Sequence, residues 1–439
     1  MSQRPLRVLT GIKPSGTPHV GNYVGAVRPA VAASKAPGTE SFYFLADLHS
    51  LVNTQDPARV QRSTLEVSAT WLAAGLDPAK VWFYRQSDVP ETTELMWLLT
   101  CVAGKGLLNR AHAYKAAVDR NRAQGLDEDA SVTAGLYLYP VLMAADILIF
   151  NADRVPVGRD QIQHIEMARD FAQRFNHLYG REWFTLPEAV IDDDVATLPG
   201  LDGRKMSKSY DNTIPLFAPP AQLKKLVFSI LTDSRAPGEP KDTEGSALFQ
   251  LYQAFATPEQ TAAFAQAFAD GIGWGEAKQQ ALDVMEREIA PMRERYEALI
   301  ARPSDIEDIL RDGGRRLRER YATPLLAQLR DAVGLRDLGR VAVPAAAGAA
   351  AIRSEPPQFK QYREADGRFY FKLVDGDRVL LQSHGFDAPR EAGQSIARLR
   401  RGELAPAQAP AELGEGVTLA DVQAALDAIA AAEAEKAAS

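Results

Sequence analysis

Two short stretches hold residue types that could do chemistry on a phosphorylated substrate. Residues 11–22 read GIKPSGTPHVGN, with three glycines, two prolines and one histidine directly after the apolar run RVLTG. Gly11, Gly16 and Gly21 would let the backbone turn sharply and approach a ligand closely. A helix starting near Val20 would turn free N–H groups and a positive dipole end toward an anion, most naturally a phosphate, with His19 at its mouth. Residues 203–212, GRKMSKSYDN, set Lys205 and Lys208 three apart among hydroxyls. Such a cationic loop suits a leaving group that gains charge as it departs. Taken singly, each stretch has an ordinary reading as well: a Gly/Pro turn with a surface histidine, and a solvated lysine loop. A Walker A loop is excluded, since no G-x-x-x-x-G-K-[ST] occurs.

The surrounding pattern says how these stretches are held. The first ~215 residues alternate short β-rich runs with helix-like segments, as a parallel α/β sheet does. RVLTGI, SFYFLAD, KVWFYRQ and RVPVG are the candidate strands, and Val60–Ala74 and Gln161–Phe175 the clearest helices. In the second helix, Ile162, Ile165, Ala168, Ala172 and Phe175 share one face. In such a sheet, ligands bind where the loops leave the C-terminal strand ends, which is where GIKPSGTPHVGN lies. Beyond Pro219 the strand signal stops and helical segments run to Leu338. Residues 339–356 read as an Ala/Pro linker. Residues 357–404 alternate and turn at two D-G pairs like a small ββα module, and 405–439 read as an Ala-rich helical tail with frayed ends. The domains expected are therefore 1–218, 219–338 and 357–404.

Composition narrows the classes. The 439 residues are 46% apolar and 24% charged, with length enough for two or three domains. A formal charge of −7 argues against wholesale coating of nucleic acid, though not against a local basic face. Cys101 is the only cysteine, which excludes an internal disulfide and a cysteine-cluster zinc site. No apolar run reaches membrane-spanning length, and MSQRPLRVLTG lacks the apolar core of a secretion signal, so a cytoplasmic protein is expected.

Together, PHVGN and KMSKS resemble the two signatures of class I aminoacyl-tRNA synthetases, in the right order with an α/β domain between. The segment 139–176, YPVLMAADILIFNADRVPVGRDQIQHIEMARDFAQRFN, is similar to the core of the tryptophanyl branch, as is GIKPSGTPHVGNYVGAVR. The resemblance covers about residues 6–338. It implies a Rossmann-like nucleotide-binding domain, a helical region that reads the anticodon, and a homodimer. Tyrosyl relatives typically carry a tyrosine where this chain has Leu9 and an acidic residue where it has Lys13, so the tyrosyl alternative is disfavoured. A non-charging binder of tryptophan or nucleotide is a further alternative, but it would gain nothing from a leaving-group loop.

The resemblance also implies roles. ATP, arriving with Mg2+, would meet Lys13, Pro14 and Ser15 on the loop and Gly21 and Asn22 at the helix mouth. Gly158, Arg159 and Asp160 would take its ribose end, and the backbone near Leu198 its adenine. Lys205, Met206, Ser207, Lys208 and Ser209 would take its phosphates, with His19, Lys205 and Lys208 catalytic. For tryptophan, Asp146 would accept the indole N–H, in a pocket with His49, Met143, Val155 and Val157; Tyr139 and Gln161 would meet the α-amino group. A carboxylate in an apolar pocket is the natural partner of a ring with one donor and no acceptor. Without the resemblance, Asp146 reads as an ordinary polar residue within a helix, His49 as a satisfied structural histidine near a strand end, and Met143 and the two valines as plain core. RDGGRRLRER (311–320) is the best basic stripe for tRNA phosphate, or else an ordinary solvated helix face.

Overall fold

The computed structural model describes residues 4–191, 198–335 and 356–438. The chain divides into two compact units, Met1–Asp337 and Leu338–Ser439. Apart from residue 356, the expected linker lies outside the described residues.

The first unit is built on five parallel strands: β1 (Leu6–Ile12), β2 (Thr39–Leu45), β3 (Trp82–Arg85), β4 (Arg154–Pro156) and β5 (Glu188–Val190), in the order β3-β2-β1-β4-β5. The first four are the strands the sequence suggests; β5, only three residues long, carries too short a pattern to be read. β2 is buried on both faces, so alternate residues serve two cores. Tyr43 and Leu45 pack with Val20, Val67 and Trp71, whereas Phe42 and Phe44 pack with Leu9, Ala144, Ile147 and Phe171. The strand order reverses between β1 and β4, and the crevice beyond their C-terminal ends is where such sheets take ligands.

The helices after residue 219 are not a separate body. Trp274–Ile300 packs against Pro57–Ala73, and Pro303–Leu317 lies along β3. Gly313 in the latter approaches the sheet so closely that a Cβ there would stand 1.8 Å from the Phe83 carbonyl oxygen. Glycine is required at that crossing.

The second unit is a four-stranded antiparallel sheet, β6 (Gln358–Arg363), β7 (Phe369–Asp375), β8 (Arg378–Ser383) and β9 (Ala411–Leu413), with helices Pro389–Arg400 and Leu419–Ala438. The expected Ala-rich tail is part of this fold rather than an appendage to it. β9 pairs with β8, and Val422, Ala425, Leu426 and Ile429 enter the same core as Phe371, Leu373 and Leu381. Alanine-rich composition hid a helix whose few branched residues fall on one face. Among the described residues, no helix is long and apolar enough to cross a membrane.

Candidate active site

The loop after β1 runs under the start of a helix that begins at Val20 and continues, through a π-type turn at Tyr23–Val27, to Ala33. Gly16 holds φ +110°, a conformation L side chains rarely adopt. His19 caps the helix: the Asn22 N–H donates to its Nδ1 at 3.3 Å, and the His19 N–H donates to Asn22 Oδ1 at 3.1 Å. With Nδ1 an acceptor, the ring proton sits on Nε2. Burial, with a smaller contribution from the Lys208 charge, pulls the His19 pKa down to about 4. The imidazole is therefore neutral near pH 7 and carries one outward donor.

The sequence reading expects free N–H groups at this helix start, and here the structure differs. The Val20 N–H donates to the Ile214 carbonyl at 2.9 Å, Asn22 is committed to the cap, and the Gly21 N–H faces Met206 Sδ at 3.4 Å. A thioether is a weak acceptor, so Gly21 is the most readily released of the three. Backbone bonds from Val20 to Ile214 and from Leu216 to Pro18 (3.1 Å) stitch the glycine loop to the segment after the lysine loop. Lys208 Nζ reaches the Ser15 carbonyl at 3.3 Å, and partial burial lowers its pKa from the ordinary lysine value. Lys205 is exposed on the same loop, and Ser207 Oγ pairs with Ser209 Oγ at 2.8 Å. Lys13 is likewise lowered by burial and, with the Asn53 amide oriented to suit, meets its oxygen at 3.1 Å.

Between β1, β4 and the helix Ala134–Leu148 lies a cavity of about 520 Å3. Tyr139, Met143 and Asp146 stand four and three residues apart, which puts them on one helix face. All three line the cavity, with Leu9, Lys13, His49, Val155, Val157, Gly158 and Gln161. Asp146 is 2% exposed. His49 Nε2 lies 2.9 Å from its Oδ2, and Gln86 Nε2 lies 2.8 and 2.9 Å from its two oxygens. Burial raises the Asp146 pKa, opposed by the bonds from His49 and Gln86.

A second chain of hydrogen bonds closes the other end. The Tyr139 hydroxyl meets His164 Nε2 at 2.6 Å, His164 Nδ1 meets Gln161 Oε1 at 3.0 Å, and Gln161 Nε2 donates to Asp160 Oδ2 at 2.7 Å. A Cβ on Gly158 would stand 2.8 Å from Asp160 Oδ1, so a side chain there would push the exposed Asp160 carboxylate out of its present position. Asp160 and Arg159 are exposed at its tip.

Lys13, His49, Tyr139, Met143, Asp146, Val155, Val157, Gly158 and Gln161 thus gather at one cavity, whereas Lys13, Ser15, Asn22 and Lys208 line a smaller recess beside it. Pro14 is buried beneath the loop, its carbonyl accepting from Ser50 Oγ at 3.3 Å. Leu198 is 4% exposed, and its carbonyl accepts from the Met206 N–H, so that oxygen is committed within the loop. The basic stripe is also largely committed. Arg311 pairs with Glu307, Arg315 with Asp312 and Glu319, Arg316 with Asp312, and Arg318 with Glu91, while Arg320 lies over the Trp82 ring. Its ordinary reading is the one this geometry favours. Sequence reasoning passed over Gln86 and His164. Gln86 ends the strand candidate KVWFYRQ, at the edge where ligands gather. His164 stands one helical turn after Gln161.

Comparison with known proteins gives concordant findings. A family model described as tRNA synthetases class I (W and Y) matches residues 1–289. A tryptophan–tRNA ligase of Xanthomonas axonopodis pv. citri is 76% identical over 402 residues, 91% of this chain and 93% of the relative. Its counterpart in Pseudomonas aeruginosa is 60% identical over 407 residues, 92% and 90% of the two chains. These alignments are longer than the first compact unit and so extend into the second. Among solved structures, the tryptophanyl-tRNA synthetase of Campylobacter jejuni complexed with ADP and tryptophan superposes with a TM-score of 0.68 at 40% identity, covering 75% of this chain and all of that one.

Proposed function

The chain belongs to the tryptophan and tyrosine family of class I tRNA synthetases, and from that premise we propose that it activates L-tryptophan with ATP and transfers it to tRNA(Trp). The carrying observation is Asp146, a buried carboxylate whose three neighbouring contacts can all be donors, at the wall of an otherwise mostly apolar cavity. Indole supplies the missing fourth donor. Phenylalanine has none, and a tyrosine hydroxyl would reach the carboxylate with different length and angle. Leu9 on β1 supplies an apolar wall, which also favours tryptophan over tyrosine.

The chemistry needs position and charge rather than a covalent nucleophile. Tyr139 and Gln161 hold the α-ammonium and leave the carboxylate to attack the α-phosphorus in line. His19, neutral, donates from Nε2 to an α-phosphate oxygen, and the Gly21 N–H exchanges its thioether partner for phosphate. Lys205 and Lys208 follow the pyrophosphate as it leaves, and the Gly158–Asp160 turn receives the ribose. Mg2+ carried in on the ATP phosphates would take up charge developing there. The 2′- or 3′-hydroxyl of the terminal adenosine of tRNA then takes the acyl group, releasing AMP. The helices of 219–338 are proposed to read the anticodon. The reaction is assigned to the cytoplasm, where tRNA is charged.

We also propose a homodimer. That reading rests on the family membership; Trp97, on helix Glu91–Val102 and 65% exposed, offers an aromatic anchor of the kind such interfaces use. Pyrophosphate exchange with each amino acid in turn tests the main reading: exchange with tryptophan alone supports it, and exchange with tyrosine or with none overturns it.

A further inference from the structure

Gln86 is not among the residues the family signatures single out, yet it is the group most tightly engaged with the specificity carboxylate. It is 1% exposed, at the turn directly after β3. Its orientation is fixed from behind: the Leu48 N–H donates to Oε1 at 3.1 Å, so the amide nitrogen is turned toward Asp146. That nitrogen straddles Asp146, 2.8 Å from Oδ1 and 2.9 Å from Oδ2. Its neighbour Ser87 ties the same turn to the short helix Asp47–Ser50 that follows β2, whose Asp47 carboxylate accepts from the Ser87 N–H at 3.1 Å.

An ionised carboxylate offers about four acceptor directions. Gln86 fills one on each oxygen, and His49 fills the second on Oδ2. One direction remains, on Oδ1. We propose that Gln86 is a specificity-determining positioning residue, which keeps the Asp146 carboxylate ionised and turned so that its single remaining lone pair meets a ring N–H. The proposal rests on the tryptophan-activating reading above and adds to it a residue that never touches the reacting atoms. Without the amide, Asp146 could rotate about its terminal torsion, which is broad for a carboxylate, or take up a proton in its buried setting. Either change removes selectivity for a ring donor while leaving the shape of the pocket intact.

The test compares two substrates of nearly equal shape: tryptophan, and β-(3-benzothienyl)alanine, in which sulfur replaces the indole N–H. Pyrophosphate exchange gives kcat/KM for each with wild type, Gln86→Leu and Gln86→Met. Both substrates are measured in one preparation, so any loss of folded protein cancels in their ratio. The expected result is a drop of about tenfold or more in preference for tryptophan over the sulfur analogue, carried by KM for tryptophan. The analogue's own kcat/KM should stay within about threefold of wild type. Gln86→Met keeps the side-chain length but has no amide donor, so it reports on selectivity should Gln86→Leu not fold. An unchanged ratio in the soluble variants, or equal losses for both substrates, would make Gln86 a structural residue and overturn the proposal. A wild-type protein that activates no tryptophan would instead overturn the functional reading beneath it.

Discussion

Lys208 Nζ lies 3.3 Å from the carbonyl oxygen of Ser15, across 193 residues of chain. The second signature loop thus meets the first through the lysine proposed to follow the leaving pyrophosphate. A carbonyl is a weaker partner for an ammonium than a phosphate dianion, so in that proposal the contact is a resting position that phosphate would displace. Replacing Lys208 with alanine should lower adenylate formation by ~10²–10³, the loss of one charged transition-state contact. Tryptophan affinity should hardly move. Single-turnover kinetics within threefold of wild type would remove this loop from the mechanism.

For Asp146, the expected cost of Asp146→Ala is about 2–4 kcal/mol in kcat/KM for tryptophan. Phenylalanine, with no ring donor, should lose far less. Equal losses measured for the two amino acids would assign the carboxylate to the fold.

His19 links stability to pH. Its folded pKa of about 4 lies below the ordinary histidine value of 6.5, so an unfolded chain binds a proton that the native cap refuses. The stabilisation it contributes is complete above about pH 6.5 and disappears as pH falls through about 4. His19→Asn keeps a side-chain cap without a titrating ring. Urea denaturation at pH 7.5 and pH 4.5 should therefore show a smaller acid-induced loss in the variant than in wild type. Parallel curves would mean the imidazole is not held neutral.

The second compact unit has its own core, from Phe371 to Ile429. A chain ending at residue 337 should fold and activate tryptophan at near wild-type rate, read by sizing and pyrophosphate exchange. Aminoacylation at two salt concentrations would then report any contribution of the removed unit to tRNA affinity. Loss of exchange on truncation would show that the units depend on one another.

Trp97→Ala should weaken self-association by at least about 2 kcal/mol if that ring anchors the dimer. Sedimentation across a concentration series checks it. An unaltered dimer would place the interface elsewhere.

The phosphate cradle was open to reading because it is one contiguous loop whose residue types suggest its chemistry. Tyr139, Met143 and Asp146 were placed at the pocket by the resemblance, since a helical spacing of mostly apolar residues reads equally well as core. What escaped was the support behind them. Gln86 reaches Asp146 from sixty residues away, across the ends of two strands, and no local pattern encodes that meeting. His164 bridges Tyr139 and Gln161 only because two helices pack side by side. The arginines of 311–320 left two readings open for the converse reason: their positive charge is visible in the sequence, whereas partners such as Glu91 are distant in it. The alanine-rich tail was underestimated because propensity is a weak guide to which face of a helix is buried.

Gly313 has a consequence for solubility. β3 is the outermost strand of its sheet, and such an edge offers unpaired backbone groups to any passing chain. The helix Pro303–Leu317 presses its bare glycine against that strand's carbonyl and leaves no approach for a foreign strand. The late helices therefore act as a sheath for a strand made some two hundred residues earlier. During synthesis, that edge stays open until residue 317 has left the ribosome. A fragment cut before residue 303 would carry both signature loops intact and still tend to precipitate through sheet-to-sheet pairing.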